Sequence, residues 1–401
     1  MKKLLCSAAV IGLAVVAANP AQAEDGLTLD IGGYFKGYGM YTDLDDETAA
    51  DGVGESRDLD IIRNTEVHFS GETTLDNGLT VGAHIETGAD REDSFDVNET
   101  YAYFSGGWGR VNFGSEDGAA YLLQVEAPSA DDNLDGIRQF VNPINYAAIG
   151  NLAGAGTGLA ALNIGTSGST GGLDYDQDAT ANVDKLTYLS PIMNGFQVGV
   201  SYTPDVADAS GENAANLDDV DDAFGSAYEA AVRYEGQFNN IGVIAGAGYT
   251  HVDLEEQVGA QAAGDSTDDR TVWNAGIDLD IGPFGVGVAY LNDDFGDTAL
   301  TATTEQEEEE TWVVGVDYTT GPFKIGASYL NQDGAANIAG VSGDDGVEVD
   351  RYTGGVVYTY GPGMTFRGSI SHAEFEDVAG IAGGSTDAEA TSVILGTQIN
   401  F

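Results

Sequence analysis

Two sets of charged residues stand apart in this sequence. Six carboxylates, Glu116, Asp117, Glu126, Asp131, Asp132 and Asp135, share one stretch that has the period of neither a helix nor a strand. Seven basic residues, Lys36, Arg110, Lys185, Arg233, Lys324, Arg351 and Arg367, are spread singly along the chain. Carboxylates at that density can supply fixed negative charge, pair with distant cations or hold a hard metal ion. The run Asp131-x-Asn133-x-Asp135-Gly136 follows the first half of a calcium loop, whose alternating oxygens wrap the ion while the glycine makes the sharp turn. Its twelfth position is Asn142, so the bidentate glutamate of that motif is missing. Asp174, Asp176 and Asp178 make a second cluster without the glycine. A solvated acidic loop is the plain alternative; calcium or magnesium at Asp131, Asn133 and Asp135 is the sharper expectation. No cofactor is required by the pattern.

Catalytic chemistry is poorly provided for. His68, His84, His251 and His372 are scattered, and none forms H-E-x-x-H. Neither G-x-S-x-G nor a P-loop is present, so the chain is read as not an enzyme. With 66 acidic residues against 14 basic, nucleic acid is excluded as a partner, because its phosphates would be repelled. Such acidity could mark a merely solvating chain, but 19 Tyr, 15 Phe and 3 Trp point to a packed surface.

The elements that position these charges follow from the hydropathy pattern. Lys2 and Lys3, the apolar run to Ala18 and Ala21-Gln22-Ala23 have the form of a secretory signal over residues 1–23. Its removal takes away the only cysteine, Cys6, and leaves 12 basic against 66 acidic residues, a net charge of −54. The single domain expected over 24–401 contains sixteen runs that alternate apolar and polar residues, as Phe196, Val198, Val200 and Tyr202 do with Gln197, Gly199 and Ser201. They fall near 27–41, 58–75, 79–88, 98–106, 109–115, 182–190, 196–204, 225–236, 241–252, 269–281, 284–292, 309–319, 323–331, 348–360, 363–375 and 389–401. Short connections such as Asp76-Asn77-Gly78 and Gly282-Pro283 take turns with long acidic ones, of which 116–181 is the longest.

That sorting predicts an all-β, 16-stranded antiparallel transmembrane β-barrel with the 116–181 loop folded into its bore as a constriction. A closed barrel satisfies every backbone polar group within the membrane. Its outward phase must be apolar, since Lys or Arg at the bilayer midplane costs roughly 2–4 kcal/mol. Many runs begin or end in an outward aromatic, as interfacial belts require. The inward phase is polar, so a wet interior is expected. Phase counting places all seven singled-out basic residues on the inner wall, facing the loop's acids. The expected result is a transverse field, and with acid in excess a preference for cations. The alternative is that these charges only pin the loop to the wall.

Three segments resemble the general bacterial porins, particularly those of the alphaproteobacteria. Ala390 to Phe401 alternates and ends in Phe401, like an outer-membrane assembly signal; Asn182 to Pro191 followed by Gly195-Phe196 is similar to the strand–turn–strand after the third loop; Trp108 to Gly114 looks like the strand entering it. The resemblance implies a homotrimer in the outer membrane, in contact with lipid and lipopolysaccharide, assembled by the barrel assembly machinery and passing small hydrophilic solutes by diffusion. Calcium or magnesium could also bridge lipopolysaccharide phosphates to a chain so acidic. Ser115 departs from the pattern, where the family commonly has a basic residue. A solute-specific channel, a non-conducting structural or adhesive barrel and a secreted calcium-binding β-repeat protein are the alternatives; the last lacks a fixed short repeat.

Overall fold

The computed structural model describes residues 28–46, 58–89, 96–144, 173–207, 223–255, 268–296, 308–334, 348–376 and 388–401. The expected export signal over 1–23, the glycine-rich part of the long loop over 145–172 and the middles of the other long connections lie outside the described residues. Sixteen strands form one sheet: β1 (Thr28–Asp46), β2 (Leu59–Thr74), β3 (Thr80–Gly88), β4 (Asp96–Gly106), β5 (Gly109–Ser115), β6 (Asp184–Leu189), β7 (Phe196–Thr203) and β8 (Phe224–Phe238), then β9 (Ile241–Leu254), β10 (Arg270–Ile281), β11 (Phe284–Asp293), β12 (Glu309–Thr320), β13 (Phe323–Asp333), β14 (Glu348–Gly361), β15 (Met364–Glu376) and β16 (Ala388–Asn400). Every strand is antiparallel to its neighbours in sequence, and β1 pairs with β16, so the sheet closes and no edge remains. Phe401 extends the seam: its amide donates to the Gly33 carbonyl at 3.1 Å and its carbonyl accepts from the Gly33 amide at 3.0 Å.

Alternation sets which face meets lipid. Val198, Val200, Val314, Val316, Ile325 and Leu395 point outward and are exposed. Outward aromatics form two belts through cross-strand pairs. Near the short turns, Phe196–Tyr234, Phe284–Tyr318 and Phe323–Tyr358 rings lie 4.7 to 4.9 Å apart; near the long loops, Tyr202–Tyr228, Tyr290–Trp312 and Tyr329–Tyr352 lie 4.4 to 5.3 Å apart.

Part of the inward face is apolar and covered by the loop. Val272, Leu291, Val313, Leu330, Val349, Ala373, Phe375 and Ala390, inward residues of β10 to β16, are buried against Ala127, Ile137, Ile144, Leu173 and Tyr175 of the long loop. A second cluster joins Tyr38, Met40 and Ile394 of the wall to Leu134 and Val141. The loop takes up this side of the bore, and removing both apolar surfaces from water stabilises its seat at about 25 cal/mol per Å². The loop is also more regular than its sequence suggests, with one-turn helices α1 (Ala119–Leu122) and α2 (Asp132–Asp135).

Candidate functional site

The long loop is seated on a track of wall glycines. Gly199, Gly246, Gly248, Gly276, Gly287, Gly315 and Gly326 occupy inward positions from β7 to β13, and their missing side chains make room for residues 119–130. A Cβ on Gly276 would stand 2.5 Å from the Val125 carbonyl oxygen, one on Gly287 2.7 Å from Pro128 Cδ, and one on Gly326 2.6 Å from the Ala130 nitrogen. Real Cβ contacts do not come so close, so glycine is what lets the two backbones meet. Polar bonds complete the seat. Ser201 Oγ accepts from the Ala119 amide at 2.8 Å, and Glu229 accepts from the Ala120 amide at 3.0 Å and from Thr180 at 2.7 Å. Gln177 donates to Thr250 Oγ1 at 2.8 Å, and Ser328 donates to Asp135 at 3.1 Å.

Most of the expected wall bases serve this docking. Arg233 donates to the Gln124 carbonyl at 2.7 Å and Arg351 to the Leu134 carbonyl at 3.3 Å. Lys185 is buried and donates to the carbonyls of Glu116 and Ala181, tying together the two roots of the loop. Ser115, at the position where the family commonly has a base, donates to the Asn182 carbonyl at 2.5 Å in the same knot. Arg367 bonds Asp131 and, at 2.6 Å, Asp132. Lys36 is buried with its Nζ 3.1 Å from the Phe140 ring centroid. Two bases make their direct contacts with the wall: Arg110 donates to Asn112 at 2.6 Å and lies over Tyr103, and Lys324 pairs with Asp317 at 3.7 Å.

The residues of the expected calcium loop take part in the same contacts. Asp131 caps α2 and receives Arg367 and Tyr38; Asn133 donates to Tyr38 and Gln398, each at 2.9 Å; Asp135 receives Ser328. Asn133 uses its amide nitrogen for both bonds, Tyr38 is shared between Asp131 and Asn133, and a guanidinium already neutralises Asp131. At the second acidic cluster Arg138 does the same, reaching Asp176 and Asp178 at 3.0 Å each and Asp117 at 3.7 Å. Arg138, Glu229 and the wall glycines were missed by sequence reasoning; Glu229 and the glycines do sit on the inward phase, which is a usable signal.

Burial changes the charge of the loop. It pushes the Glu116 carboxyl up to about 7, against the pull of Asn112, which donates to it at 2.7 Å. It likewise raises Asp135 to about 6, with Arg351 pulling the other way. Among the six acids, Asp132 is the one whose side chain opens widely, at 60% exposed.

The wall that the loop leaves partly open runs along β2 to β4. Its inward side chains are Glu66, His68, Ser70, His84, Glu86, Glu99 and Tyr101, all half-buried. Registers His68↔Glu86 and Ser70↔His84 bring both histidines together with Glu66 and Glu86 into one patch.

A closed sixteen-stranded barrel with a lumenal loop is a porin architecture, and the comparisons agree. The family profile described as Gram-negative porin matches residues 7–378. This chain belongs to that family. The anion-selective porin of Comamonas acidovorans is similar in structure, with TM-score 0.59, 14% identity, and coverage of 94% of this chain and 100% of that one. OmpT of Vibrio cholerae, in its trimer form, gives TM-score 0.53 and 15% identity, covering 94% of this chain and 100% of that one. At these identities the likeness establishes the fold, while the family rests on the profile, and nothing singles out the alphaproteobacterial branch. No curated protein matches the sequence. The porin is an outer-membrane barrel of the kind that passes small solutes.

Proposed function

We propose that this porin forms a passive-diffusion channel for small hydrophilic solutes and ions, that the 116–181 loop sets its constriction, and that it prefers cations. The observation that carries the preference is the fate of the bases. Arg233, Arg351, Lys185 and Arg367 are committed to loop carbonyls and carboxylates, whereas Asp132, Glu66 and Glu86 retain access to the bore. Fixed charges of one sign at a narrow point favour the counter-ion. The formal net charge of −52 acts in the same direction. Reversal potentials across planar bilayers in a KCl gradient test this: cation preference is expected, and anion preference would overturn it.

A solute-specific or non-conducting barrel is the second reading, favoured by the apolar cluster that fills the β10–β16 side. Absence of discrete conductance steps from purified, folded protein would decide for the non-conducting form. Homotrimer formation, lipid and lipopolysaccharide contact and delivery by the barrel assembly machinery through Phe401 belong to the same proposal. A heat-sensitive oligomer on unheated gels is the expected sign of the trimer.

A further inference from the structure

The histidines of the open wall are arranged as ligands. Glu86 Oε1 lies 2.7 Å from His84 Nε2 and 3.8 Å from His68 Nδ1, and one donor atom from each of the three residues falls within 4.8 Å of the others. A tetrahedral ion with bonds of about 2.0–2.1 Å holds its ligands roughly 3.3 Å apart, so small side-chain shifts suffice. The far nitrogens are equally telling. His68 Nε2 is 3.3 Å from Glu66 Oε2, and His84 Nδ1 is 2.7 Å from Ser70 Oγ. Asn98 in turn donates to the other oxygen of Glu66 at 3.2 Å. Each imidazole therefore has one nitrogen aimed at a common point and the other held by an acceptor, the outer support that metal-bound histidines ordinarily have.

We propose that His68, His84 and Glu86 bind a divalent transition-metal ion at the lumenal wall, and that the bound ion reduces cation passage. Two imidazoles and one carboxylate suit zinc, nickel or copper over calcium and magnesium, which prefer all-oxygen shells. The three protein ligands leave a further position for water. An ion bound there adds two positive charges to the acidic side of the passage. The conductance effect rests on the channel reading above; the binding does not.

Two measurements on the folded full chain in detergent and in bilayers test it. Cobalt titration followed by visible absorption is expected to saturate at one ion per chain, with the bands lost in H68N/H84N and retained in H251N. Glu66→Gln, which touches no metal, should weaken binding by about 10-fold or more. In bilayers, micromolar zinc should lower single-channel conductance reversibly with a chelator in the wild type and leave H68N/H84N unchanged, while millimolar magnesium has no such effect. The same heat-induced shift in gel mobility as the wild type verifies that the variants fold. Cobalt bands that survive in folded H68N/H84N, or no binding below millimolar metal, would overturn the site. Failure of the channel reading would look different: cobalt binding intact, with no conductance to inhibit.

Discussion

Gly315 of the wall and Pro128 of the loop are so closely opposed that a methyl group on Gly315 would overlap the Pro128 carbonyl oxygen. The contact defines how the loop is held: backbone against backbone, with no side chain to yield. Gly315→Val is therefore expected to destabilise loop docking by about 1–3 kcal/mol, the usual scale of overpacking. It should add open-channel noise as the loop loosens. Gly39→Val, at an outward position with nothing within 4 Å of the added Cβ, is the matched control. Thermal unfolding in detergent and single-channel recordings check both.

Arg367 and Asp131 form a buried ion pair between wall and loop. Replacing Arg367 by Met leaves the buried Asp131 carboxylate unpaired, at an expected cost of about 3–5 kcal/mol. The double variant R367M/D131N removes the orphaned charge and should recover most of that loss. A double-mutant cycle by denaturant unfolding measures the recovery.

Acid should tighten the loop. Glu116 and Asp135 have raised values when folded, about 7 and about 6, against ordinary values of 4.5 and 3.8. Between the ordinary and the raised value, the folded protein keeps protons that the unfolded chain has released. Their contribution is thus complete below pH 4.5 for Glu116 and 3.8 for Asp135, and is lost as pH rises through about 7 and 6. Stability falls across that window, and Glu116→Gln, neutral throughout, should flatten part of the fall. Unfolding midpoints at pH 4.5 and pH 8 check the sign.

Asp132 should matter more to selectivity than its neighbours in the loop. Its exposed carboxylate remains open to the bore even while Arg367 bonds it. Asp132→Asn is expected to move the KCl-gradient reversal potential toward zero. Glu229→Gln, buried beneath α1 and still able to accept from Ala120, should leave it nearly unchanged.

The strands were legible because lipid on one face imposes a period of two, which survives in every run from Phe196 to Leu395. What the loop does was not legible. Val313, Leu330 and Phe375 lie on the inward phase, and alternation cannot say that an inward residue meets a loop and not water. The basic residues fall on the polar phase, yet their partners depend on how a 66-residue connection folds, over distances such as Arg351 to Leu134 that no local pattern encodes. The histidine patch was closer to hand. His68 and Glu86 stand equidistant from Asn77 in the chain, as do Ser70 and His84, so the turn at Asp76-Asn77-Gly78 already implies their pairing. Reading the histidines one at a time, as isolated polar residues, concealed it.

The loop reaches one wall strand after another from β7 round to β1, bonding Ser201, Arg233, Gln177's partner Thr250, Ser328, Arg351, Arg367, Gln398 and Tyr38 on the way. That leaves the two demands on the ring to separate arcs. Mutations that alter what is taken up can accumulate on β2 to β4 without weakening the tether, whereas the remaining strands answer for sturdiness. A population under pressure from a toxic solute would accordingly be expected to vary first along that short arc.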